Sequence, residues 1–201
     1  MNTDSKFEQP ASLRIDLPDW LAGFAADYPH GGDRDARMGF VIQAARRNVL
    51  EKSGGPFAAA IFERDSGKLV SLGVNLVTTQ HCSILHAEMV AIALAQRALG
   101  SWDLAAEGLA PHELVTSTEP CAMCLGAVPW SGVRRLVCGA RDADARAAGF
   151  DEGAKVADWQ GALAARGIAV ITDVLRDEAA AVLAAYARDG GTLYNAGSRL
   201  S

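Results

Sequence analysis

His86-Ala87-Glu88-Met89-Val90-Ala91-Ile92-Ala93-Leu94-Ala95 decides how this chain folds. Strong helix formers fill the run and no glycine or proline interrupts it, so a helix is expected to begin at the His-x-Glu triplet. Towards the N-terminus, Leu69 to Val77 reads as a strand, Asp65-Ser66-Gly67-Lys68 as a turn and Phe57 to Arg64 as a second strand, which together form a hairpin. Ahead of the hairpin, residues 36 to 52 place Met38, Val41, Ile42, Ala45, Val49 and Leu50 on one helical face, and Ser53-Gly54-Gly55-Pro56 stops that helix. Towards the C-terminus, Glu113 to Ser117 reads as a buried strand, and Pro120 suits the first turn of the next helix, where a missing N–H costs little. Arg135 to Ala140 supplies a fourth strand and Ile168 to Thr172 a fifth, with helices around Asp142 to Ala148, Trp159 to Ala165 and Asp177 to Arg188. Strands joined by helical crossovers, with a hairpin at one side, imply a three-layer α/β/α domain around a central mixed sheet of about five strands.

With 201 residues, half of them hydrophobic, the chain can bury one sizeable core, and residues 1–201 are expected to form a single domain. The Pro- and Gly-containing segment 1–35 reads as an arm over the surface, in which Leu17, Trp20, Leu21 and Phe24 suit one short docked helix. No stretch approaches the roughly 20 apolar residues that span a bilayer, so the expected location is the cytoplasm, away from any membrane. The net charge is −5, and Arg46-Arg47 and Arg134-Arg135 are isolated pairs expected on solvated faces. Without a basic footprint, a small neutral substrate fits better than nucleic acid.

Cys121 and Cys124 are three residues apart at an expected helix start, so both thiolates can reach one point. His86 and Glu88 lie on different sides of an ideal helix, but both can approach a metal lying off its N-terminal end. His86, Cys121 and Cys124 are therefore the candidate ligands of one zinc ion per chain, with Glu88 as a spare carboxylate. Three protein ligands leave a tetrahedral zinc one open corner, where the pKa of a water falls from about 16 towards about 7. A structural zinc would be closed by a fourth ligand, for which Cys82 and His81 are the candidates, and the chain would then be a binding module. Cys138 reads as a buried core thiol, and His30 and His112 as exposed loop residues. Trp102 is expected either to close over the site or to dock on the core.

His-x-Glu followed by Pro-Cys-x-x-Cys resembles the signature of the cytidine-deaminase-like zinc hydrolases. That resemblance implies hydrolytic deamination, in which water adds to a ring carbon bearing an exocyclic amine and Glu88 moves the protons. Gly55-Pro56-Phe57, Asn75, Thr118-Glu119-Pro120-Cys121 and Gly149-Phe150-Asp151-Glu152-Gly153 extend the similarity, from about Met38 to Asn195, to bacterial guanine deaminases. It implies a homodimer that acts on a nucleobase, guanine above all, with other amino-substituted purines, triazines or nucleosides as the alternatives. It also implies that Asn75 hydrogen-bonds the base and that Phe57 and Phe150 stack on it, although Phe57 reads nearly as well as a core residue of the strand. By the same resemblance, the backbone N–H of Ala87 reaches the base carbonyl, and Glu152, with Asp151 as its rival, is a second catalytic carboxylate. Residues 189–201, with Tyr194-Asn195, resemble a C-terminal tail that covers the site, and simple tail packing is the other reading.

Overall fold

Short, largely apolar runs buried on both faces form the central strands of one five-stranded sheet with helices on both sides. The computed structural model describes residues 10–193 and 195. In chain order the elements are α1 (Asp19–Ala26), α2 (Arg34–Leu50), β1 (Ala58–Glu63), β2 (Leu69–Val74), α3 (Ala87–Leu99), β3 (His112–Thr118), α4 (Ala122–Ser131), β4 (Arg135–Ala140), α5 (Asp142–Ala147), α6 (Trp159–Ala164), β5 (Ala169–Ile171) and α7 (Arg176–Arg188). The sheet order is β2-β1-β3-β4-β5. β1 runs antiparallel to both β2 and β3, whereas β3, β4 and β5 are mutually parallel. The expected mixed sheet and edge hairpin are thus present.

Along β1, Ala58, Ala60 and Phe62 face one layer, where Met38, Val41, Ile42 and Ala45 of α2 meet Ala179, Val182 and Leu183 of α7. Ala59 and Ile61 face the other, built from Ala87, Ala91, Ile92 and Ala95 of α3, Val128 of α4 and Leu163 of α6. The strand period of two therefore divides the core into two layers. α1 belongs to the first layer through Leu21, so part of the N-terminal arm is the expected docked helix. α2 begins at Arg34, two residues before the expected start, because the Asp33 side chain accepts a hydrogen bond from the Ala36 N–H at 2.9 Å and caps it.

α3 approaches β2 unusually closely. A Cβ on Gly73 would lie 2.4 Å from the Ala87 carbonyl oxygen and 2.5 Å from the Ala91 nitrogen, and the neighbouring Ser71 Oγ donates to the Ala91 carbonyl at 2.7 Å. Gly73 thus sets the height of the helix that carries His86 and Glu88. Gly73→Ala is expected to lift α3 by about 1 Å, enough to cost about 100-fold in kcat/KM, with about 1–3 kcal/mol lost from overpacking. Steady-state ammonia release together with a thermal melt measures both effects.

Two expectations are corrected here. His112 is fully buried as the first residue of β3, and its Nδ1 lies 2.9 Å from the Leu104 carbonyl oxygen. The backbone of the loop after α3 is its partner, which no side-chain spacing reveals. Trp102 neither covers the site nor docks on the core, since it is 81% exposed.

Candidate active site

β3 and β4 end, β1 begins and β2 ends at the same edge of the sheet, the side on which open α/β sheets generally bind ligands. α3 and α4 start there too. His86 is the extended N-cap of α3 and Cys121 the extended N-cap of α4, so two helix N-termini flank one point. Their positive ends favour thiolates. Pro120 precedes the cap of α4 and does not lie in its first turn, because the Cys121 backbone is still extended.

His86, Cys121 and Cys124 form a metal-capable group whose ligand atoms all lie within 4.8 Å of one another, the one such group among the described residues. His86 Nδ1 and Cys121 Sγ are 3.5 Å apart. Two ligands at about 2.1 and 2.3 Å from a tetrahedral zinc ion are separated by about 3.5 Å, so the spacing and the N, S, S donor set both fit zinc. Cys82, His81 and Glu88 are outside the group, and Cys82 packs against the apolar core. Hydrogen bonding from the Cys124 thiol, and then from His86, lowers Cys121 to about 4, while the same bond and burial push Cys124 far up. Burial alone would lower the His86 imidazole, but Cys121 and the carboxylates of Glu88 and Glu152 outweigh it and hold it raised.

A cavity of about 310 Å³ opens beside this group, lined by Phe57, Asn75, His86, Glu88, Cys121, Phe150, Asp151 and Glu152 among others. Eight of the nine residues singled out from the sequence are thus close to one another or to the cavity: only Cys124 and Ala87 are absent from its lining, and Cys124 belongs to the metal group. Ala87 is fully buried at the start of α3.

Glu88 is 7% exposed, and burial, then the Cys121 thiolate, raises its carboxyl above the ordinary range. Glu152 is similarly withdrawn, and burial followed by the Cys121 charge pushes it up to about 8. Its neighbour Asp151 also lines the cavity but is exposed, and its Oδ1 accepts from the Gly153 N–H at 2.9 Å. Asp151 therefore shapes the turn that carries Glu152.

Asn75 follows β2 and its Oδ1 accepts from the Val77 N–H at 3.3 Å, which leaves its amide donors available to a ligand. Its backbone is fixed from below. Asn48 Nδ2 donates to both the Asn75 and Gly55 carbonyls, at 2.9 and 2.8 Å, and a Cβ on Gly54 would come within 1.8 Å of the Asn75 carbonyl oxygen. Phe57 and Phe150 meet edge to face, with centroids 4.8 Å apart and planes at 74°. Rings in contact leave no slot between them, so they form one wall of the cavity. Tyr186 stacks behind Phe150 at 6.1 Å.

Thr78, Ser83, Tyr186 and Thr192 also line the cavity and were not singled out by sequence. Hydroxyl residues scattered over the loop between β2 and α3, α7 and the segment after it carry no spacing signal. Of the C-terminal tail, Asn195 is bonded to the Phe150 loop on both sides, accepting from the Asp151 N–H at 2.8 Å and donating to the Gly149 carbonyl at 3.0 Å. Tyr194 lies outside the described residues.

Known proteins resemble this chain in sequence and in fold. The guanine deaminase of Bacillus subtilis is 40% identical over 111 residues, covering 55% of this chain and 67% of the relative. A tRNA-specific adenosine deaminase of Rickettsia bellii is 33% identical over 94 residues, but the match spans 61% of that relative. Among solved structures, the guanine deaminase from Nitrosomonas europaea is 49% identical with a TM-score of 0.86, covering 90% of this chain and 100% of that one. A mutant of NE0047 in complex with 8-azaguanine is 48% identical with a TM-score of 0.87, over 92% of this chain and 100% of that one. Residues 33–140, more than half of the sequence, match the model of the cytidine and deoxycytidylate deaminase zinc-binding region, and the chain belongs to that family.

Proposed function

We propose that this protein hydrolyses guanine to xanthine and ammonia. The observation that carries the reading is a single cavity lined by two buried carboxylates, Glu88 and Glu152, and by His86 and Cys121 of an N, S, S metal group. Relatives at 40% and 49% identity that act on guanine support the choice of base. Zinc, when held by His86, Cys121 and Cys124, supplies the Lewis acidity that brings the pKa of a water towards about 7.

The side chains do the rest. Glu88 takes a proton from the water that adds to the ring carbon bearing the amine and delivers it to the adjacent ring nitrogen. It then takes the remaining proton of the added hydroxyl and passes it to the amine, so that the C–N bond breaks, the ring carbonyl forms and ammonia leaves. Glu152 accepts a ring N–H, for which an anionic or carbonyl oxygen is the natural partner. Asn75 offers amide hydrogen bonds to the base edge, the Ala87 N–H reaches the base carbonyl, and the wall of Phe57 and Phe150 supports the ring face.

The proposal includes one zinc per chain, a single deaminase domain over residues 1–201, and a homodimer acting in cytoplasmic purine catabolism. Among the described residues no helix is long and apolar enough to cross a membrane. Trp130 is 79% exposed on α4, the helix that bears Cys124, and provides apolar surface for self-association.

Purified protein offered guanine, guanosine, adenine, cytosine and ammeline, with ammonia measured, tests the substrate. Guanine is expected to be turned over with a kcat/KM of at least about 10⁴ M⁻¹s⁻¹, an ordinary enzymatic value, and to exceed the others. Preference for a nucleoside or for cytosine would overturn the assignment.

A further inference from the structure

Lys155 lies outside the cavity, yet its side chain is only 9% exposed and is committed at both reachable partners. Its Nζ donates to the Pro120 carbonyl at 3.0 Å and pairs with Asp142 Oδ1 at 2.6 Å. Pro120 immediately precedes Cys121, and Asp142 is the first residue of α5. Asp142 is itself anchored. Its N–H donates to Glu119 Oε2 at 3.0 Å, and its Oδ2 accepts from Arg146 Nε at 2.6 Å.

The segment from Asp151 to Lys155 is thereby fastened at successive points. The Glu152 carbonyl accepts from the Ala122 N–H at 2.9 Å, the Gly153 carbonyl accepts from Arg146 Nη2 at 2.7 Å, and Lys155 closes the series on Pro120. Apart from the Ala122 bond and the bond from the Asp151 N–H to Asn195, the fastenings run through Lys155 or through Arg146, which is itself paired with Asp142. Withdrawing an ammonium group from water is costly unless its protons are satisfied, and a paired charge at a withdrawn position resists displacement far more than a surface pair does. The segment forms no helix or strand of its own, so these bonds are what fix it.

We propose that Lys155 is a positioning residue that holds Glu152 at the cavity by clamping the 151–155 segment to the Pro120–Cys121 turn and to Asp142. The proposal rests on the reading of Glu152 as the second functional carboxylate. Loss of the clamp leaves the carboxylate present but loosely held, which acts on turnover and substrate affinity through Glu152 and leaves the metal group in place.

The experiment compares Lys155→Met, Lys155→Arg, Glu152→Gln and the Lys155→Met/Glu152→Gln double variant for kcat, KM, zinc content and thermal midpoint, with guanine as substrate. Lys155→Met is expected to keep its zinc and lose about 10–100-fold in kcat/KM, the usual cost of removing a group that orients a functional side chain. Lys155→Arg should recover most of that loss. In the Glu152→Gln background, Lys155→Met should add less than about 2-fold, because residues acting as one unit are not additive. Asp142→Asn breaks the same pair from its other end and provides the comparison if Lys155→Met does not fold. Wild-type kcat/KM in Lys155→Met, zinc loss in parallel with activity, or a full additional loss on top of Glu152→Gln would each overturn the proposal. A fully active Glu152→Gln overturns the reading of Glu152 and the clamp with it, whereas an impaired Glu152→Gln beside an unimpaired Lys155→Met overturns the clamp alone.

Discussion

Glu88→Gln is expected to reduce ammonia release by about 10²–10⁴-fold or more while zinc stays bound, the range associated with removing a positioned acid-base group. The amide keeps the volume and most of the hydrogen-bonding capacity of the carboxylate but cannot carry a proton between water, ring nitrogen and leaving amine. Glu88 is well placed for that task. It sits in the first turn of α3, two residues beyond His86, lines the cavity and lies outside the three-residue metal group. Burial raises its carboxyl, so it holds a proton more readily than an exposed glutamate does. Steady-state turnover and metal analysis on the same preparation separate the two roles. Undiminished ammonia release from Glu88→Gln would refute the mechanism, and zinc lost along with activity would make Glu88 a support for the metal.

Removing a metal ligand should have the other large effect. Cys124→Ala deletes one of the three proposed ligands at a fully buried position, and both zinc and turnover are expected to be lost. Without the metal, the pKa of water returns from about 7 to about 16, a deficit of roughly nine powers of ten in deprotonated water, so activity should fall to background. The fold has two apolar layers around the sheet that do not depend on the metal, so a near-native far-ultraviolet spectrum is expected. Treating the unaltered protein with a strong chelator should abolish activity, and adding zinc should restore it. Turnover by a metal-free sample would overturn the assignment of His86, Cys121 and Cys124.

Much of the architecture was legible because the strands are short apolar runs between turn residues. β4 spans Arg135–Ala140, as its composition implied, and the hairpin of β1 and β2 follows from the Asp65-to-Lys68 turn between two such runs. Local signals failed where a tertiary partner decided the outcome. His112 looked like a loop residue because nothing near it in sequence could satisfy it, yet Leu104 supplies a carbonyl in the folded chain. Trp102 looked like a docking residue by size alone and stays in solvent. Lys155 gave no signal whatever, since its partners Pro120 and Asp142 are 35 and 13 residues away.

The sequence by itself determined the chemistry. Residue types and short spacings, His86 with Glu88 and Cys121 with Cys124, are local properties, and helix starts at both places follow from local propensity. The tertiary structure alone decided which residues share the cavity. The order β2-β1-β3-β4-β5 brings the start of β1, the end of β2 and the end of β3 to one edge, so Phe57, Asn75 and Thr118 line one space although up to 61 residues separate them. It also separated two adjacent carboxylates that composition could not tell apart. Asp151 is exposed and tied into its own turn through the Gly153 N–H, whereas Glu152 is buried against the cavity, in a segment whose Glu152 and Gly153 carbonyls are held by the Ala122 N–H and the Arg146 guanidinium.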